Sequence, residues 1–173
     1  EGAFDAVRAL VAGGADVNQV TGNDKTPPIT QALITGNLDI AMFLLESGAD
    51  ANILNADGLT PLYATLDARF AQRTWYPPPS VEQEKTNYLD LIKTLLAKGA
   101  DPNARLTNQL WYRQFGNSGS PNRVGATPFW RATQAHDLVA MKMLLGAGAD
   151  PKISTKQNSS PLMVASGIHY SNQ

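Results

Sequence analysis

One five-residue phrase recurs four times along the chain: Gly14-Ala15-Asp16-Val17-Asn18, Gly48-Ala49-Asp50-Ala51-Asn52, Gly99-Ala100-Asp101-Pro102-Asn103 and Gly148-Ala149-Asp150-Pro151-Lys152. Such self-similarity outranks any local pattern, because each repeated unit buries its apolar face only by stacking on a neighbour. The chain therefore reads as a solenoid.

A second marker keeps step with the first. After each Gly-Ala-Asp, some ten residues on in all but the third, stands a proline with apolar neighbours: Pro28-Ile29, Pro61-Leu62-Tyr63, Pro128-Phe129-Trp130 and Pro161-Leu162-Met163. Proline suits the first helical turn, where its missing N–H is not needed and its φ is already helical, and a preceding Thr or Ser caps the helix. After Gly36 or His136 follows a run with apolar residues at helical spacing, such as Leu38, Met42, Leu44 and Leu45 or Leu138, Met141, Leu144 and Leu145. Leu89, Ile92, Leu95 and Leu96 form the same pattern in between. Each run stops at the glycine of the next Gly-Ala-Asp, the left-handed residue that commonly ends a helix. The unit is a turn, a short helix and a longer helix, and Leu44, Leu95 and Leu144 are expected between layers.

These Pro-Leu helix starts and Gly-Ala-Asp-x-Asn turns resemble the ankyrin-repeat family from one end of the chain to the other. The resemblance implies an all-α solenoid of stacked helix pairs with β-hairpin turns, one domain over residues 1–173 holding about three full repeats and a half repeat at each end. Both ends fall within a unit, as in a piece of a longer array. The family's usual histidine after Pro-Leu is replaced by Thr30, Tyr63, Trp130 and Met163, so its turn-bracing hydrogen bonds are expected to be absent or made otherwise. The Gly-Ala-Asp-Pro turns also resemble those of many-repeat bacterial proteins, some of them exported; the sequence itself assigns no compartment.

Two departures in spacing mark insertions. Pro28 to Gly48 and Pro128 to Gly148 are 20 positions each, whereas Pro61 to Gly99 is 38. The extra residues fall near 68–86 and include Trp75, Tyr76 and three consecutive prolines, Pro77 to Pro79, which enforce an extended stretch. Ser80 with Gln83 forms a capping-box pattern that predicts a helix from there to about Lys98. Asn103 to Pro128 is 25 positions where Asn52 to Pro61 is 9, placing the second insertion near 106–122, in a hairpin finger. It carries Trp111, Tyr112, Arg113 and Phe115, and no acidic residue lies between Asp101 and Asp137 while Arg105, Arg113, Arg123 and Arg131 do.

Catalytic chemistry finds little footing. Of the two histidines, His136 fills the helix-end slot of Gly36, and His169, near the ragged end, is no better placed for catalysis. The repeated aspartates Asp16, Asp50, Asp101 and Asp150 look like a carboxylate set, but layers of packed helices hold equivalent residues about 10 Å apart, too far to share an ion; each is expected to bond its own turn. There is no cysteine, phosphate-binding glycine loop or zinc spacing. No cofactor or metal is expected. A net charge of −1 gives no general pull toward nucleic acid or anionic membranes, and no apolar run approaches membrane-spanning length.

The reading is a non-enzymatic scaffold that binds a protein or peptide, with an acidic partner favoured by the basic second insertion. The family resemblance implies docking on the concave side formed by fingers and first helices, with fingertips at Ala56 and Asp57, Arg123 and Val124, Lys156 and Gln157. The candidate partner-binding residues are Asp57, Trp111, Tyr112, Arg113, Phe115, Arg123, Trp130, Arg131 and Lys156. The aromatics of the insertion belong to the types that dominate binding hot spots, and they equally suit anchors that pin the insertion to the stack. A carbohydrate- or cell-wall-binding module, with those aromatics stacking on sugars, and a structural assembly subunit are the competing readings. Oligomeric state is open.

Overall fold

A computed structural model describes residues 2–70, 84–110 and 122–167. Among them run eight helices: α1 Gly2–Ala12, α2 Pro28–Ile34, α3 Leu38–Glu46, α4 Pro61–Arg69, α5 Tyr88–Ala97, α6 Pro128–Gln134, α7 Leu138–Gly146 and α8 Pro161–Ala165. Three of the pairs are hairpins, α2 with α3, α4 with α5 and α6 with α7. The inner helices α2, α4, α6 and α8 form one layer and the outer helices α1, α3, α5 and α7 the other, each helix touching the next of its own layer.

Proline opens every inner helix. Thr60, Thr127 and Ser160 stand before it and accept from the N–H of Tyr63, Trp130 and Met163 at 3.1–3.2 Å. At α2 a second proline, Pro27, takes the cap position, so Thr26 does not cap that helix. The outer helix α5 begins at Tyr88 rather than near Ser80, because the Asn87 side chain accepts from Leu89 N–H at 2.9 Å; Ser80 and Gln83 lie outside the described residues. The glycines that close the outer helices take positive φ, 101° at Gly48, 84° at Gly99 and 90° at Gly148. At Gly99 a Cβ would meet nothing within 4 Å, so backbone conformation and not space selects glycine there. His136 takes the same left-handed conformation as Gly36.

The turns after those glycines do two jobs. Within each turn the aspartate accepts from the N–H two residues on, Asp16 from Asn18, Asp50 from Asn52, Asp101 from Asn103 and Asp150 from Lys152, at 2.8–2.9 Å. Between turns the fifth residue of the phrase bridges. Asn18 donates to the Gly48 carbonyl and accepts from Asp50 N–H; Asn52 does the same with Gly99 and Asp101, and Asn103 with Gly148 and Asp150. An amide side chain carries both a donor and an acceptor, so one asparagine ties both partners of the next turn. Lys152 has no acceptor to continue the series.

Leu44, Leu95 and Leu144 are 3%, 0% and 0% exposed, as their spacing predicts. The layer that follows decides the burial of each apolar position: Leu38 is 2% exposed beneath the next layer, whereas its equivalent Leu138 is 59% exposed. No strand occurs among the described residues. The fingers are turns joined by isolated backbone bonds, too short to form a ladder.

Replacing Asn52 by Ala should speed amide exchange at Asp101 and lower stability by about 1 kcal/mol, since two exposed neutral hydrogen bonds are lost. Hydrogen exchange with urea unfolding checks this, and unchanged protection at Asp101 would show that the bridge adds nothing.

Candidate partner-binding surface

Each finger is tied to the next by main-chain atoms. Ala56 N–H donates to Asp24 O at 2.7 Å, Thr107 N–H to Asp57 O at 2.8 Å, and Lys156 N–H to Val124 O at 2.8 Å. The chain crosses so closely that a Cβ at Gly58 would lie 2.9 Å from the Arg105 carbonyl oxygen and Thr107 nitrogen, and one at Gly125 2.9 Å from the Lys156 nitrogen. In the first finger the hydroxyls of Thr21 and Thr26 donate to Asp24 and hold its carboxyl below the usual range.

The second insertion opens between two such ties. Its base stays closed, with Leu106 N–H on Ala126 O and Gly125 N–H on Leu106 O at 3.1 and 2.8 Å. Arg105 threads beneath it, donating from Nε to Gly125 O and from Nη2 to Ser154 O. Trp111, Tyr112, Arg113 and Phe115 lie outside the described residues, and with them the feature on which the carbohydrate reading rests.

The remaining candidates part company. Lys156 is exposed and Asp57 half-buried at the tips. Trp130 and Arg131, expected on the partner face, are instead 0% and 4% exposed. Trp130 sits in the position of the family's histidine, and its indole N–H donates to Ser159 O in the following finger at 3.0 Å, which supplies a turn brace by another donor. Arg131 Nε donates to Asp67 Oδ1 at 2.9 Å, joined there by Arg123 Nη1 at 3.1 Å. Arg123 is thus turned inward from its finger.

Asp67 was not marked by any motif. It stands seventh in α4, where α2 has Ile34, and is 1% exposed; the only sequence signal is a carboxylate on an otherwise apolar helix facing an arginine in the next repeat. Arg131 Nη2 also donates to the Phe70 carbonyl and its guanidinium lies 5.8 Å from the Phe70 ring. Arg69 stands 5.5 Å from both the Phe70 and Tyr88 centroids. The Tyr88 phenol, partly buried and donating to Asp137 Oδ2 at 3.0 Å, is pushed up to about 12 by that burial and by the carboxylate.

The return from the first insertion is clamped onto α3. Asp39 accepts from the N–H of Lys85 and Thr86 and from the Thr86 hydroxyl, while its own N–H donates to Glu84 Oε2. Burial alone would raise the Asp39 carboxyl; the bonds from Thr86 and Lys85, with the Lys85 charge, bring it below the usual range.

Among the described residues no group of three or more His, Cys, Asp or Glu is placed to hold a metal. An apolar groove of about 320 Å³ lies between α1 and α2, bordered by Val7, Leu10, Val11 and Pro28. Among the described residues no helix is long and apolar enough to cross a membrane.

Paired helices, left-handed glycines and tied turns define a repeat-solenoid protein. Residues 1–70 match the family model described as Ankyrin repeats (3 copies). Residues 1–70 carry ankyrin repeats, and the chain is similar to ankyrin-repeat proteins beyond them. It is similar to a protein of Rickettsia felis named as an ankyrin repeat protein, 30% identical over 61% of this chain and 42% of that one. It is also similar to the potassium channel AKT3 of Oryza sativa, 34% identical over 40% of this chain and 8% of the channel. The E3 ubiquitin-protein ligase KEG of Arabidopsis thaliana is 25% identical over 93% of this chain and 11% of the ligase. The chain thus spans less than half the length of each. Ankyrin repeats generally mediate protein–protein interaction and are typically non-enzymatic.

Two outcomes follow from the buried groups. Asp67→Asn should cost about 3–5 kcal/mol, because it strands a buried guanidinium, and adding Arg131→Met should recover most of that loss in urea titrations. Asp39 has a folded-state pKa below its unfolded value, so the clamp's stabilisation is present above that value and is lost as the pH falls through the folded one. The Thr86 amide proton should shift in NMR spectra as the pH drops below about 4, and Asp39→Asn should abolish the transition.

Proposed function

We propose that this array is a non-enzymatic scaffold that binds a protein or peptide across its fingers and inner helices. One observation carries the reading. The ties made by Ala56, Thr107 and Lys156 use main-chain N–H and C=O groups, so the tip side chains other than Arg123, which reaches inward to Asp67, are available to a partner. Lys156 and Gln157 are exposed there, beside the Ala56–Asp57 tip. The basic second insertion emerges from the same row, between the ties made by Thr107 and Val124, which supports a partner surface that includes it.

Reversing both tip charges, Asp57→Lys with Lys156→Glu, should weaken capture of the native partner by roughly tenfold, each rim charge contributing about 0.7 kcal/mol. Melting temperature should stay within a few degrees. Affinity capture from the native source with mass spectrometry, comparing wild type and double variant, checks this; undiminished capture would remove the fingertips from the interface.

A further inference from the structure

Among the arginines around Phe70, one differs in its electrostatic state. Arg131 and Arg123 share the Asp67 carboxylate at 2.9 and 3.1 Å. Arg69 is exposed, and among the described residues no carboxylate lies within ion-pair distance of it. Asp137, which accepts from the Tyr88 O–H, is also occupied by Ala140 N–H.

Nor is Arg69 a freely waving side chain. Its guanidinium lies 5.5 Å from the centroids of Phe70 and Tyr88, rings that meet edge to face at 6.1 Å and 81°. Those rings are themselves fixed. The Tyr88 hydroxyl is bound to Asp137 at 3.0 Å, and the Phe70 carbonyl is held by Arg131 at 3.2 Å. Cation–π contact positions the plane of a guanidinium without using its N–H donors. An arginine held this way retains its full fork for an anion, and the rotamer entropy that normally weakens an exposed ion pair has been partly spent beforehand.

We infer that Arg69, seated between Phe70 and Tyr88 at the end of α4, is a preformed carboxylate-binding site for an acidic side chain of a peptide partner. The inference rests on the proposed protein-binding role and supplies the partner's chemistry at the rim of the inner helices. Lysine at this position would keep the charge but lose both the fork and the stacking.

The test is fluorescence anisotropy at low ionic strength with a labelled hexaglutamate peptide, hexaglutamine serving as the neutral control. Wild type should prefer hexaglutamate. Arg69→Ala and Arg69→Gln should each weaken it by about fivefold and Arg69→Lys nearly as much, while Lys93→Ala, an exposed cation on α5, should change little. Added salt should erase the preference. Circular dichroism of each variant should match wild type, since Arg69 is exposed. Equal binding by Arg69→Ala and wild type, an equal loss in Lys93→Ala, or no preference for hexaglutamate would each overturn the assignment. Capture of the native partner by Arg69→Ala, run in parallel with the fingertip variant, separates the two readings. Capture that depends on the fingertips but not on Arg69 sinks only the carboxylate site, and capture indifferent to both sinks the binding face as well.

Discussion

The bridging asparagine is the contact on which the rest of the array depends. Helix pairs bury their apolar faces against one another, but burial is non-directional and would tolerate sliding. Asn18, Asn52 and Asn103 each fasten a carbonyl and an N–H of the following turn, which fixes the axial register of one unit on the next. With the turns set, Leu44, Leu95 and Leu144 meet their layers, and the fingers arrive close enough for their single backbone ties.

That fixed register explains how the chain carries two insertions without losing its stack. Each is fastened where it leaves or rejoins the repeat. The second is closed at Leu106 and Ala126, and the first returns through Glu84, Lys85 and Thr86 onto Asp39. Because loop closure costs rise only slowly with loop length, pinning these points lets extra residues be added at small cost to neighbouring units. The two points of addition are also linked, since Arg123 at the foot of the second insertion reaches Asp67 at the foot of the first.

Much of the fold was legible because it rests on local rules. Proline at the helix start, glycine at φ near 90° and the aspartate turn all act within a few residues, so spacing alone located them. The start of α5 was misplaced because a capping-box pattern at Ser80 competes with Asn87, and the winner is decided by where Asp39 holds the strand of chain before it. Trp130 and Arg131 were misread for a related reason. Residue type suggested a hot spot, but an indole N–H can brace a turn and a guanidinium can pair within the stack, and only the position of the neighbouring repeat distinguishes these uses. Asp67 left a single trace, a carboxylate where the equivalent helix has Ile34, and no motif marks it.

That carboxylate gives the array an address. The seventh residue of one inner helix and the fourth of the next correspond by position as Ile34 with Ala64, Asp67 with Arg131, and Gln134 with Val164. Two of these pairs carry no formal charge; the middle one is an ion pair buried on both sides. A stack assembled out of order would set Arg131 against Ile34 or leave Asp67 facing Val164, burying a charge with no counter-ion at a cost of several kcal/mol. Units similar enough to be mistaken for one another during folding are thereby made distinguishable, and the sequence of repeats along the chain becomes the sequence of layers in space.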